Sequence, residues 1–222
     1  MSELGYGVER SQSSVLATNK VLKNTYMLLS MTLLFSAFTA AASMVIGIGQ
    51  GMALILMLVS FGLLFWVHKA AETSQGLIAI FAFTGCMGAA LGPMLTFYLA
   101  LPSGPGMVLQ ALAGTGLIFL TLSGYALTTR KDFSFMRGFL FTGLIVAIVA
   151  MLLNIFLNIP ILSLVISAAV IMIMSGLILF DTSRIIHGGE TNYIRATVSL
   201  YLNIYNIFIH LLRLISVMSG RN

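Results

Sequence analysis

The last of seven long apolar stretches in this chain carries polar side chains at helical spacing. They are Ser199, Asn203, Asn206, His210 and Arg213, separated by four, three, four and three positions. At 100° per residue, this spacing confines all five to an arc of roughly 80° on one helix face. A polar face of that kind cannot lie against lipid. We therefore expect the last helix to be central, with this polar stripe lining either a hydrogen-bonded core or a path for water and ions.

One carboxylate lies close to this stripe. Asp181 ends the preceding apolar stretch, and an ionisable residue at membrane depth is costly enough to be a candidate functional group. If that helix begins at Pro160, Asp181 lies near the headgroups, solvated and paired with Arg184. If the helix is shifted inward by a turn, the carboxylate is buried. Both alternatives stay open at this point.

The last two apolar stretches form an antiparallel hairpin about the loop HGGETNY. Asp181 and Asn203 are about equally far from the middle of that loop, so they are expected at similar depth and within hydrogen-bonding reach. Carboxylate and amide oxygens suit a hard cation such as Ca²⁺, but a single carboxylate gives only a weak, transient site. We expect no other cofactor.

Small residues form a second pattern, in the third apolar stretch. Gly85, Gly88 and Gly92 are three and four positions apart and leave a flat strip along one helix face. Pro93 follows at once and removes a backbone hydrogen bond, which predicts a kink. We interpret the strip as a helix-packing surface, and a hinge at Pro93 is the alternative.

The elements that must hold these residues are membrane-spanning helices. Apolar residues make up 59% of the 222 positions and charged residues only 8%, too few to cover a water-soluble surface. A helix needs about 20 residues to cross ~30 Å of hydrocarbon. The sequence therefore predicts an all-α integral membrane protein, a seven-transmembrane-helix bundle with a central last helix. The predicted spans are about 24–46, 52–67, 76–99, 107–128, 138–157, 161–180 and 197–218.

The charges predict the orientation of this bundle. All six acidic residues and nine of the eleven basic residues lie before the first span or in alternate gaps. Since Lys and Arg near span ends are retained in the cytoplasm, residues 1–23 are expected to form a disordered cytosolic tail. The short tail 219–222 is then outside. This distribution accounts for the positive net charge, so no nucleic-acid partner is expected.

Several kinds of chemistry are absent from the sequence. It contains no P-loop, H-E-x-x-H or G-x-S-x-G signature, so we expect no enzymatic activity. The one cysteine, Cys86, lies within an apolar stretch, which excludes a disulfide framework and a thiolate metal cluster.

Two long segments resemble a known family. The run GAALGPML, from Gly88 to Leu95, fits the G-x-x-L-G-P-x-L element of the Bax inhibitor/YccA family. Ala111 with the run from Thr115 to Phe119 fits the family's next element, except that Gly116 replaces alanine. The stretches IIHGGETNYIRATVSLY and KVLKNTYMLLS resemble the proteobacterial YccA branch. The resemblance covers essentially the whole chain and implies a seven-helix bundle in the bacterial inner membrane.

The resemblance implies two functions of different classes. YccA-like members are associated with FtsH, a membrane-anchored ATP-dependent protease, and with its membrane-associated regulators, as poorly degraded substrates that restrain the protease. The cytosolic tail is then the segment that FtsH engages. Candidate residues in that tail are Ser2, Glu3, Glu9, Arg10 and Asn19.

Other members of the family act as pH-sensitive Ca²⁺ leak pathways, attributed to two aspartates on the last two helices. Asp181 matches the first aspartate, but Asn203 stands at the second position. Two carboxylates can share a proton, whereas this pair has one ionisable member and half the negative charge. We therefore rank modulation of FtsH first and Ca²⁺ leak second. Transport of a small molecule along the polar stripe is a third, less favoured alternative.

Overall fold

The chain folds into seven long helices, as the sequence predicts. The computed structural model describes residues 3–220, with side chains from residue 16 onward. Within that range the regular structure is entirely helical, and all seven long helices are apolar and long enough to cross a membrane. They are α1 Glu3–Ile46, α2 Gln50–Ala70, α3 Gln75–Leu99, α4 Gly104–Thr129, α5 Arg137–Leu157, α6 Pro160–Ile186 and α7 Tyr193–Ser219. The predicted fold class is confirmed.

The last helix is central. α7 contacts α1, α2, α3, α4 and α6, and its membrane-spanning part is more buried than that of any other helix in the described part of the chain. It also contributes to all three apolar clusters of the core, through residues such as Leu200, Ile207 and Phe208. Packing around α7 therefore holds the surrounding helices together.

Helix ends are set by residues that adopt a left-handed backbone. Gly47 follows α1 with φ of 76°, and Gly188 follows α6 with φ of 73°, a region that costs glycine little. Arg130 and Asn158 cap α4 and α5 in the same region, with φ of 50° and 51°. Pro160 then opens α6 at its first turn, where the missing N–H is not needed.

The connections alternate between the two ends of the bundle. Loops 71–74, 130–136 and 187–192 lie at one end, together with most of the charged residues, and we call it the basic end. Loops 47–49, 100–103 and 158–159 lie at the other, which we call the far end, and these loops carry no charge.

Two predicted boundaries differ most from the structure. α1 begins at Glu3, so the segment expected to be disordered is, from Glu3 on, a helix continuous with the first span. Once a span has formed, each further residue adds a hydrogen bond at little cost, and no proline interrupts this segment. Ser2 lies outside the described residues, as do the side chains of Glu3, Glu9 and Arg10. α6 continues past the predicted end at residue 180 to Ile186.

The glycine strip of α3 lies against α1. A methyl group at Gly88 would overlap the carbonyl oxygen of Ser36, and one at Gly92 would overlap the side chain of Ser43. The hydroxyl of Ser43 donates to the carbonyl oxygen of Ala89 at 2.7 Å, across this close approach. α3 continues through Pro93 without ending. Because glycine has no side chain, the backbones of α1 and α3 can approach each other closely along this strip.

This close approach predicts the effect of adding one methyl group. Gly88→Ala should lower stability by about 1–3 kcal/mol, because the added carbon overlaps backbone that cannot easily move. Gly116→Ala on α4 is the matched control: it faces open space and should be neutral or stabilising, since alanine is the better helix former. Thermal unfolding in detergent measures both, and equal melting temperatures for the two variants would contradict the packing role of Gly88.

Candidate functional site

A hydrogen-bonded pair joins the last two helices inside the membrane. The amide nitrogen Nδ2 of Asn203 donates to Oδ2 of Asp181 at 2.8 Å. Asn203 is buried and Asp181 is partly buried. Asp181 lies five positions before the end of α6 at Ile186, which places it about 8 Å inside that end. The pair therefore fixes α6 against α7 close to the basic end.

For Asp181, the structure agrees with each of the two alternatives in one respect: the helix begins at Pro160, and the carboxylate is partly buried. α6 does begin at Pro160, yet the carboxylate is bonded to an amide rather than paired with Arg184. The guanidinium of Arg184 instead lies 3.6 Å from a carboxylate oxygen of Glu190 and donates to the carbonyl of Gly189 at 3.3 Å. The hydrogen bond to the Asp181 carboxylate thus comes from a neutral amide and not from a positively charged group.

The polar stripe on α7 divides between two surroundings. Asn203 and His210 are buried toward α6, and Nδ1 of His210 lies 3.1 Å from the hydroxyl of Ser167 on that helix. Asn206 donates to the carbonyl of Leu202 on its own helix at 2.8 Å. Arg213 is exposed near the far end. The stripe is therefore in part a hydrogen-bonded core and in part the wall of an open space.

That open space is a cavity of about 790 Å³ between α7, α2 and α3. Asn206, His210 and Arg213 lie in its wall, but Asp181 and Asn203 do not. The Asp181–Asn203 pair near the basic end is thus separate from the polar groups that line the cavity.

Two tyrosines on α7, one buried and one partly buried, belong to the same polar core, although they were not among the predicted site residues. Tyr201 has its hydroxyl 2.7 Å from the hydroxyl of Ser36, and Tyr205 donates to the carbonyl of Met87 at 3.2 Å. Their rings stack at 5.9 Å between centroids. Their spacing of four on one helix was a signal for this stack, and it connects α7 with both α1 and α3.

Charged residues at the basic end join two loops. Arg195 pairs with Glu72 at 2.7 Å and lies 3.8 Å from Glu190. Asn192 caps α7 by accepting from the N–H groups of its first turn, while its amide donates to the carbonyl of Ala71 at 2.8 Å. These contacts hold the loop before α3 against the loop before α7.

The third basic-end loop is held by Ser183. Its hydroxyl accepts from the N–H of Phe133 at 3.1 Å and donates to the carbonyl of Lys131 at 3.1 Å. Within that loop, hydrogen bonds from the Ser134 hydroxyl and backbone N–H hold the pKa of the Asp132 carboxyl below its usual value. All three loops are therefore tied to the helices that carry Asp181 and Asn203.

The described residues do not form a dedicated metal site. No cluster of three or more His, Cys, Asp or Glu side chains occurs among them. Ca²⁺ takes six to eight oxygen ligands, whereas here one carboxylate oxygen already accepts a hydrogen bond.

The fold and this paired polar core define a class, the helical membrane bundles of the Bax inhibitor type. A family model described as "Inhibitor of apoptosis-promoting Bax1" matches residues 18–221, and the chain belongs to that family. It is 51% identical over 208 residues, 94% of each chain, to the protein of Escherichia coli K12 called "Modulator of FtsH protease YccA". A protein of Escherichia coli O6:H1 called "Inner membrane protein YccA" has the same identity and coverage. An "Uncharacterized membrane protein" of Vibrio cholerae is 55% identical over 96% of each chain. The resemblance found in the sequence is confirmed.

Proposed function

We propose that this chain is an inner-membrane modulator of the FtsH protease, and not an enzyme itself. The observation that carries the proposal is the 51% identity, over 94% of both chains, to the relative whose name states that activity. With 94% of the chain aligned, no helix of the bundle lies wholly outside the similarity. The partners are then FtsH and its membrane-associated regulators, within the lipid bilayer.

The distribution of charge supports a specific orientation. The basic end carries Lys69, Arg130, Lys131, Arg184 and Arg195 beside its loops, whereas the loops of the far end are uncharged. Because Lys and Arg are retained in the cytoplasm, the basic end and the N-terminus face the cytoplasm and the C-terminus faces the periplasm.

The N-terminal segment is the part that we propose FtsH engages. α1 begins at Glu3, but the apolar stretch that can span the membrane begins only at about residue 24, so the helix extends about 30 Å beyond the span. Asn19, within this extension, is exposed. A segment that projects at the cytoplasmic face is accessible to a protease anchored in the same membrane.

Resistance to extraction explains why such a substrate would restrain the protease. Pulling on the N-terminus must first remove α1, which packs along α3 and α7. Each further helix is predominantly apolar, and exposing it to water is strongly unfavourable. The protease would then be occupied while degrading this chain slowly.

Co-purification tests the partnership directly. The full chain, isolated from native membranes in mild detergent with a C-terminal tag, should retain FtsH at a fixed ratio after washing. An unrelated seven-helix protein with the same tag is the control, and equal recovery of FtsH with both proteins would contradict the proposal.

A second candidate function is a Ca²⁺ leak, favoured by one observation. Asp181 lies on α6, one of the helices long and apolar enough to cross a membrane, and is hydrogen-bonded to Asn203 on α7. A carboxylate at that depth attracts a cation that enters from the basic end.

The leak is tested by flux into liposomes. The reconstituted chain should pass Ca²⁺ above the rate of empty vesicles, Asp181→Asn should abolish that flux, and Asn203→Asp should raise it by adding a second carboxylate. The matched control is Asn206→Asp, which lies on the same helix but not beside Asp181. No flux above empty vesicles at any pH from 6 to 8 would exclude this function.

A further inference from the structure

The cavity between α2, α3 and α7 is about as long as the hydrocarbon of one membrane leaflet is thick. Its volume is about 790 Å³, within the range of roughly 300–1,000 Å³ typical of sites for small molecules. Along α7 its wall runs from Leu202 to Arg213, about 16 Å at 1.5 Å per residue. Half of the ~30 Å hydrocarbon core is about 15 Å. The cavity thus extends from the far end to about the middle of the bilayer.

The inner part of the cavity wall is mostly apolar, and the polar side chains there are already hydrogen-bonded. Methionine, leucine and phenylalanine side chains form most of it, among them Met57, Met87, Met94 and Phe97. Ser60 donates to a backbone carbonyl of its own helix at 2.8 Å, and the Tyr205, Asn206 and His210 side chains have the partners described above. An interior with few free donors is suited to hydrocarbon rather than to a column of water.

The mouth of the cavity carries one unpaired positive charge. Arg213 lies there with Gln50 at the start of α2 and Tyr98 near the end of α3. None of the salt bridges among the described residues involves Arg213, and the far-end loops contain no acidic residue. A guanidinium at headgroup depth is complementary to a phosphate, which it can bind through two parallel hydrogen bonds.

The cavity is accessible from the lipid. In the described part of the chain α2 and α5 make no contact with each other, although Met151 of α5 lies at the edge of the cavity. Leu54 and Phe61, which line it on α2, are 64% and 54% exposed. A molecule in the surrounding leaflet can therefore enter sideways between α2 and α5.

We propose that this cavity binds an anionic phospholipid from the leaflet at the far end. One acyl chain lies against α2, α3 and α7, and the phosphate pairs with Arg213. The occupant fills a space that side chains leave open beside the central helix, and it supplies the negative charge that the far end lacks.

Lipid retention by the purified full chain tests this proposal. Native mass spectrometry compares phosphatidylglycerol, which is anionic, with phosphatidylethanolamine of the same acyl chains. We expect about fivefold stronger retention of phosphatidylglycerol. Arg213→Gln should remove that preference, and Lys131→Gln, an exposed charge at the basic end, should leave it unchanged.

Blocking the cavity tests the position of the acyl chain. Ala53→Phe on α2 and, independently, Ala90→Phe on α3 place a ring in the cavity and should lower retention of both lipids severalfold. Ala113→Phe, on an exposed face of α4, is the matched control and should change nothing.

Equal retention of the two lipids by the unmodified chain would overturn the proposal, and so would a preference that survives Arg213→Gln. Unchanged retention in both blocked variants would also overturn it, as would a lipid-free dimer, since a second copy would then cover the cavity.

Discussion

Deletion of residues 2–14 is expected to abolish the restraint of FtsH while the membrane bundle stays folded. The deleted part ends about ten residues before the apolar stretch of α1, so all seven membrane-spanning stretches stay intact. With most of the projecting segment removed, the protease has too little chain to engage at the cytoplasmic face. Turnover of a second membrane substrate by FtsH should return to the rate measured without this chain.

The extent of the deletion matters for this experiment. Thr18 and Asn19 line a cavity together with Arg130 and His187 at the basic end, so a deletion that includes them would also disturb packing. Deletion of residues 220–222, at the opposite end, is the matched control and should leave the restraint intact. Full restraint after deletion of residues 2–14 would remove the N-terminal segment from the mechanism.

Replacing Asn203 by leucine should destabilise the bundle by about 1–3 kcal/mol, because it leaves the Asp181 carboxylate without its donor inside the membrane. Asp181→Leu should cost less, since a neutral amide is cheaper to leave unpaired than a carboxylate. The double variant should be close to the original stability, because two apolar side chains of suitable size can pack where the polar pair was.

Unfolding in detergent of the four proteins in this double-mutant cycle gives the coupling between the two positions. Because the double variant should lose little, the coupling should be at least as large as the loss in Asn203→Leu alone, about 1–3 kcal/mol. Asn206→Leu is the control on the same helix, where the amide donates only to its own backbone. Additive losses in the double variant would show that Asp181 and Asn203 do not depend on each other.

The sequence predicted those parts of the fold that hydropathy and periodicity control. Seven apolar stretches predicted seven helices, and the spacing of polar residues on the last stretch predicted that α7 would be central, as its contacts show. The depth of Asp181 relative to Asn203 followed from their equal distance to a short loop. These inferences use only local spacing, because the spacing of residues along a helix determines which face each side chain lies on and how deep it lies.

Features that depend on contacts between distant residues were not predictable in the same way. The bond from Phe133 to Ser183 joins positions 50 apart, and that from Asn192 to Ala71 joins positions 121 apart. The cavity beside α2 was also not predicted, because lipid-facing and protein-facing surfaces of such a helix are equally apolar. Hydropathy likewise gave no signal for the helical extension of α1 from Glu3, because that segment is not an apolar stretch.

The most direct test of the central claim is FtsH activity in proteoliposomes that contain this chain. Degradation of a second membrane substrate should slow as the ratio of this chain to FtsH rises, while the chain itself is degraded more slowly than that substrate. An unchanged rate of substrate degradation at every ratio would contradict the account.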